Sequence, residues 1–188
     1  LTTDESGKAD LDNLPLGEYK VVEKTAPEGF VLNKEEQKIS FVYADQNTPV
    51  ISQSAEFIND RQKVEVSVVK KDAENEKGLF GAEFGLYAKE DIKAGDKVLV
   101  KADELLTKAV TGEDGKAVFE QDLPFGTYYI KELAAPDGFV SSDEQIEVTA
   151  KYQGQEVKTV KLETVFRNAP TTTEFTKSDI TTGVELDG

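Results

Sequence analysis

Short runs in which apolar and polar residues alternate recur along the chain, broken every few residues by Gly, Pro, Asp or Asn. A period of two puts successive side chains on opposite faces of a strand. The breaks mark turns, among them DESG (4–7), APEG (26–29), GEDG (112–115), APDG (135–138) and YQG (152–154). The pattern predicts strands at 18–23, 37–44, 50–58, 63–70, 82–87, 97–101, 116–119, 127–133, 144–152 and 156–167. One stretch departs from it. ADELLTK (102–108) has good helix formers behind an acidic start, and is expected to form a helical turn. Many short strands and few helices predict an all-β chain of antiparallel β-sandwiches.

The pattern also repeats. LPLGEYKVVEKTAPEGFV (14–31) returns as LPFGTYYIKELAAPDGFV (123–140), and TTDESGKA (2–9) as TGEDGKA (111–117). VVKKDAENEKGLFGAEF (68–84) is echoed by FTKSDITTGVELDG (175–188), and AEFIND (55–60) by TVFRNAP (164–170). The copies lie about one small domain apart. In chain order they divide the sequence into three parts. Residues 63–170 carry a start, a middle and an end motif and are expected to form a complete domain. Residues 1–62 hold the C-terminal part of an earlier domain. Residues 171–188 hold a linker and the first strand of a following one. The chain reads as an excerpt from a tandem array.

Composition narrows the chemistry. The 188 residues include no Cys, His, Met or Trp, and carry a formal charge of −15. Without Cys there is no disulfide framework, thiol nucleophile or cysteine-built metal site. Without His the usual general base and the commonest transition-metal ligand are missing. So strong a negative charge argues against a nucleic-acid partner. No apolar run reaches membrane-spanning length and no signal peptide is present, so no membrane insertion is expected of this segment. DAENEK (72–77) lacks the central Gly of an EF-hand loop. Neither a metal nor a cofactor is expected.

Strand parity singles out three polar residues. Val64, Val66, Val68 and Lys70 share a face, as do Tyr128, Ile130 and Glu132. Val160, Leu162, Thr164, Phe166 and Asn168 share a third. Each apolar face ends in an amine, a carboxyl or a carboxamide, while Lys71, Lys131 and Arg167 take the solvent parity. The partial domains repeat this with Tyr19, Val21 and Glu23, with Ala55, Phe57 and Asn59, and with Phe175 and Lys177. A single Lys or Glu at a strand end ordinarily snorkels to water. Three such endings in one domain, with copies beside it, point to a shared site. One reading is a buried Lys–Glu ion pair with an Asn partner, at a desolvation cost. The other is an amide-forming triad. Burial weakens the hold of Lys70 on its proton and strengthens that of Glu132. Lys70 Nζ would attack the Asn168 side-chain carbonyl carbon while Glu132, the catalytic residue, polarises that carbonyl and shuttles protons. Ammonia would leave. Proximity drives the step, and the domain is its own substrate.

The motif G-x-Y-x-x-x-E-x-x-A-P-x-G-F (Gly17 to Phe30, Gly126 to Phe139), with V-x-K-x-D and G-A-x-F-x-L-Y (Val68 to Tyr87), resembles the Cna B-type, or SpaA-like, prealbumin-like repeat domains of Gram-positive surface adhesins and pilins. The resemblance implies immunoglobulin-like sandwiches and an autocatalytic isopeptide bond from the first-strand Lys to the last-strand Asn, assisted by the Glu. By position these are Lys70, Asn168 and Glu132. Glu23 and Asn59 match as a partial site, and Lys177 matches as another. The resemblance further implies a stalk or pilus module, not an enzyme on external substrates. It would be extracellular and anchored to the cell wall, with neighbouring repeats, pilin subunits or a host matrix protein as partners. The competing expectation is an adhesin that recognises matrix protein or glycan through loops, with 88–108 as the candidate loop.

Overall fold

The computed structural model describes residues 1–48, 50–174, 176–178, 180–182 and 184. The chain divides into two compact units. Unit 1 comprises residues 1–62 with 153–158, and unit 2 comprises residues 63–152 with 159–188.

Unit 1 is built on β1 (Gly17–Val22) and β2 (Glu36–Phe41), which pair antiparallel with Gly17 opposite Phe41 and Val22 opposite Glu36. Tyr19, Val21, Ile39 and Phe41 share one half-buried face, where Tyr19 meets Phe41 edge-on at 5.7 Å. The strand expected at 50–58 does not form. Its alternation survives, with Ala55, Phe57 and Asn59 half-buried between exposed neighbours. A strand exists through its ladder, however, and at Glu56 the Gln37 side chain takes the backbone groups: Gln37 Nε2 donates to Glu56 O, and Glu56 N donates to Gln37 Oε1 (3.2 Å).

Unit 2 holds β3 (Lys63–Asp72), β4 (Glu83–Ala88), β5 (Ile92–Ala94), β6 (Lys97–Val100), β7 (Leu105–Val110), β8 (Lys116–Phe119), β9 (Gly126–Ala134), β10 (Gln145–Ala150) and β11 (Thr159–Asn168). One sheet runs β10-β9-β4-β7 and another β11-β3-β8, while β5 and β6 form a separate hairpin. The core is made of the inward residues of both larger sheets: Val66 and Val68 of β3, Phe84 and Leu86 of β4, Tyr128 and Ile130 of β9, and Val160 and Phe166 of β11 are all fully buried. Each such side chain contributes about 1.5–3 kcal/mol of burial. The buried Tyr128 keeps its hydroxyl satisfied by donating to Pro124 O at 2.5 Å.

Two expectations are corrected. The helical turn at 102–108 is absent. Lys101–Glu104 make a tight turn with Asp103 at φ 59°, and the chain continues as β7, paired with β4 so that Glu83 faces Val110. Seven residues of good helix propensity are a weak preference, and the ladder to β4 with Leu106 against the core outweighs it. Nor is the sandwich antiparallel throughout: β3 and β11 are parallel, with Val64 opposite Val160 and Lys70 opposite Phe166. A parallel pair needs a long connection, and the strands between β3 and β11 supply it.

Candidate functional site

The parallel pairing of β3 and β11 decides the site. In that register residues of one parity face the same way, so Lys70 near the end of β3 and Asn168 at the end of β11 both turn inward. Glu132 reaches them from β9 in the other sheet. The approach of Lys70 is set by its own backbone, whose N–H donates to Gly115 O (2.7 Å) and whose carbonyl accepts from Leu79 N (2.9 Å). Gly115 permits this closeness. It has φ 75°, and a Cβ there would meet Gly78 Cα at 2.6 Å and Lys70 O at 2.7 Å.

The three side chains form one closed cluster. Lys70 Nζ donates to Asn168 Oδ1 and lies 2.7 Å from Glu132 Oε1. Asn168 Nδ2 donates to both Glu132 oxygens, at 2.9 and 3.0 Å. The side chains of Lys70 and Glu132 are wholly buried, and Asn168 is 2% exposed. The Phe84 and Phe166 rings stand 5.6 and 5.8 Å from Nζ and tilt against each other at 4.9 Å. Their quadrupoles favour the cation while their bulk excludes water.

Burial pushes the Lys70 amine below its ordinary value, although the hydrogen bond and charge of Glu132 act the other way. For Glu132 burial acts upward, as the sequence reading expects. Donation from Lys70, Ser142 N–H (2.8 Å) and Asn168, with the Lys70 charge, outweighs it and holds the carboxyl below the usual range. Glu132 is thus held toward its carboxylate form, while burial weakens the Lys70 amine's hold on its proton. Glu132 accepts from the Asn168 amide nitrogen, and the amide oxygen accepts from Lys70, so the contact with that oxygen that the sequence reading gives to Glu132 is made by Lys70.

Unit 1 repeats half of this arrangement. Asn59 Nδ2 donates to Glu23 Oε2 (2.7 Å) and to Val31 O (2.9 Å), and Asn33 N donates to Glu23 Oε2 (2.7 Å), as Ser142 N does to Glu132. Lys177 is exposed, and no hydrogen bond or ion pair from it to Glu132 or Asn168 is found among the described residues. Phe175, expected on the same face as Lys177, lies outside the described residues. Sequence reasoning missed the two aromatic walls and Ser142. Phe166 was legible, two residues before Asn168 on the same face. Ser142 acts through its backbone, which leaves no signal in residue type.

A family model described as SpaA, prealbumin-like fold domain, matches residues 1–56 and 64–164. Among solved structures, the Bacillus anthracis TIE protein is similar at 28% identity with a TM-score of 0.62, covering 89% of this chain and 28% of that one. The major pilin subunit of Bacillus cereus, BcpA*(D312A), aligns at 26% identity and TM-score 0.41, covering 57% of this chain and 29% of its own. The major pilin SpaD of Corynebacterium diphtheriae aligns at 21% and 0.44, covering 63% and 32%. The chain thus spans less than a third of each of these proteins. No curated protein matches the sequence.

Proposed function

Because the chain belongs to the SpaA family of prealbumin-like fold domains, we propose that it is a structural segment of a Gram-positive surface stalk or pilus shaft, displayed outside the cell. The segment would hold the C-terminal part of one domain (1–62), a complete domain (63–170) and the linker and first strand of a following one (171–188), with neighbouring repeats and pilin subunits as its partners. Its complete domain is closed by a Lys70–Asn168 isopeptide bond. The carrying observation is the buried contact of Lys70 Nζ with the Asn168 carboxamide, with Glu132 on both groups.

The step balances within the cluster. Lys70 passes one proton to Glu132 across 2.7 Å. The neutral amine attacks Asn168 Cγ and the carbonyl oxygen takes up the negative charge. Nδ2 receives a proton from Glu132, the C–N bond breaks and ammonia departs. The attacking nitrogen loses its second proton to the carboxylate, which releases it with the leaving group. Neither oxidant nor metal is needed, and the reaction occurs once per molecule.

The bond would join strands that a pulling force loads in shear. The chain enters the proposed complete domain, 63–170, at the start of β3 and leaves it just after β11. With Lys70 and Asn168 joined, the load bypasses the residues between them. Closing a loop of 98 residues also constrains the unfolded chain, worth about 4–5 kcal/mol by analogy with a disulfide. The test is intact mass. The chain is expected to be lighter than its sequence by one ammonia, about 17 Da, and a Lys70→Ala variant to have its full mass. Full mass in both would overturn the cross-link.

A further inference from the structure

The repeats share their hairpin contacts residue by residue. Phe30 N donates to Pro27 O and Phe139 N to Pro136 O, both at 3.1 Å. Val31 N donates to Asp60 O (2.8 Å) and Val140 N to Ala169 O (2.9 Å). Gln62 N donates to Gly29 O and Thr171 N to Gly138 O, both at 2.8 Å.

They diverge in what covers the turn. In unit 1 the turn carries segment 153–158, which in sequence lies within the 63–170 repeat, between β10 and β11. Ala26 N donates to Gln155 Oε1 (2.9 Å), Gln155 Nε2 donates to Lys24 O (3.3 Å), and Leu32 N donates to Gln155 O (2.8 Å). Buried Gln62 holds the same segment, donating to Gly154 O (3.0 Å) and Val157 O (2.6 Å) and accepting from Gln153 N (3.1 Å). Ala26 is 6% exposed as a result. In unit 2 the equivalent Ala135 is half-buried, and no hydrogen bond of its N–H or that of Ser141, the equivalent of Leu32, is found among the described residues. Beside it opens a groove of about 300 Å³ lined by Leu79, Phe80, Pro136 and Phe139, with Phe80 67% exposed.

We propose that the Ala135–Phe139 turn of unit 2 is a docking socket for a glutamine-bearing β-turn, equivalent to Gln153–Lys158, on a following repeat. The inference rests on the tandem reading above. One carboxamide accepts and donates at once, as the Ala26 N–H and Lys24 carbonyl require; a carboxylate accepts only. It also adds no charge beside Asp137. The occupant should differ from Gln153–Lys158 at one place. Glu156 pairs with Lys34 in unit 1, and the equivalent of Lys34 is Asp143. A partner turn for unit 2 therefore carries a neutral or basic residue there.

The test is a chain continued after Thr171 by a second copy of residues 63–170, compared with the 188-residue chain by amide hydrogen exchange. Docking is expected to slow exchange at Ala135 by at least about tenfold. Gln155→Ala in the second copy should abolish that protection, and Glu156→Lys there should increase it. Equal exchange at Ala135 in the lengthened and original chains would overturn the socket. Ammonia loss, read on the same samples, tests the cross-link separately: an unprotected Ala135 with full ammonia loss sinks the socket and leaves the cross-linking reading standing.

Discussion

Lys70 Nζ lies 2.7 Å from Glu132 Oε1, with both side chains wholly out of solvent. Breaking one half of such a pair strands the other as an uncompensated buried charge, whereas replacing both with apolar groups removes the desolvation cost. Neither Glu132→Ala nor the double variant Lys70→Met with Glu132→Leu is expected to cross-link, which intact mass checks, so they are compared by urea unfolding. Glu132→Ala is expected to be less stable than the double variant by about 3–5 kcal/mol. Equal stability would mean that the pair is not electrostatically closed.

Phe166 both fills the core and walls the amine, 5.8 Å from Nζ. Phe166→Ala is expected to cost about 3–5 kcal/mol through the cavity it leaves. Water reaching Nζ would restore the amine's hold on its proton and slow ammonia loss. Phe166→Leu should recover most of the cross-linking rate, because it keeps the site dry. Time-resolved intact mass on freshly refolded protein checks both.

Gly115 stands against the backbone that presents Lys70. At φ 75°, with Lys70 O at 2.7 Å from an added Cβ, Gly115→Ala must shift the end of β3. The expected cost is about 1–3 kcal/mol from backbone strain, with slower cross-linking although no reacting group is altered. An unchanged mass-loss rate would show that the turn does not position Lys70.

Glu76 gives the acid limb. Arg167, donating at 2.7 and 3.0 Å, and then Lys71 at 3.2 Å pull its carboxyl from 4.5 to about 2. A depressed folded-state value means that the stabilisation is present above the unfolded value and is lost as pH falls through the folded one. The loss should run from about pH 4.5 to 2, and salt should weaken it, because the pair is exposed. Thermal melts across that range should show a shallower acid decline for Glu76→Gln than for the parent chain.

Most of the strands, their facing residues and the membership of the cluster were legible as a string of residues. Strand alternation is local: Val64, Val66, Val68 and Lys70 share a face whichever strand lies alongside. The repeat made the same point twice, since Glu23 and Asn59 meet as Glu132 and Asn168 do. What alternation cannot carry is the identity of the neighbour. ADELLTK reads as helix by propensity, and becomes turn and strand because β4 offers a ladder. Residues 50–58 read as strand, and form none among the described residues; at Glu56 the Gln37 side chain takes both backbone groups. The parallel match of β3 with β11, the donation of Ser142 N–H to Glu132, and the aromatic walls about Nζ all depend on segments apart in sequence. Parity is a property of one strand, whereas register, dielectric and proton affinity belong to the space between strands, which exists only once the chain has closed around it.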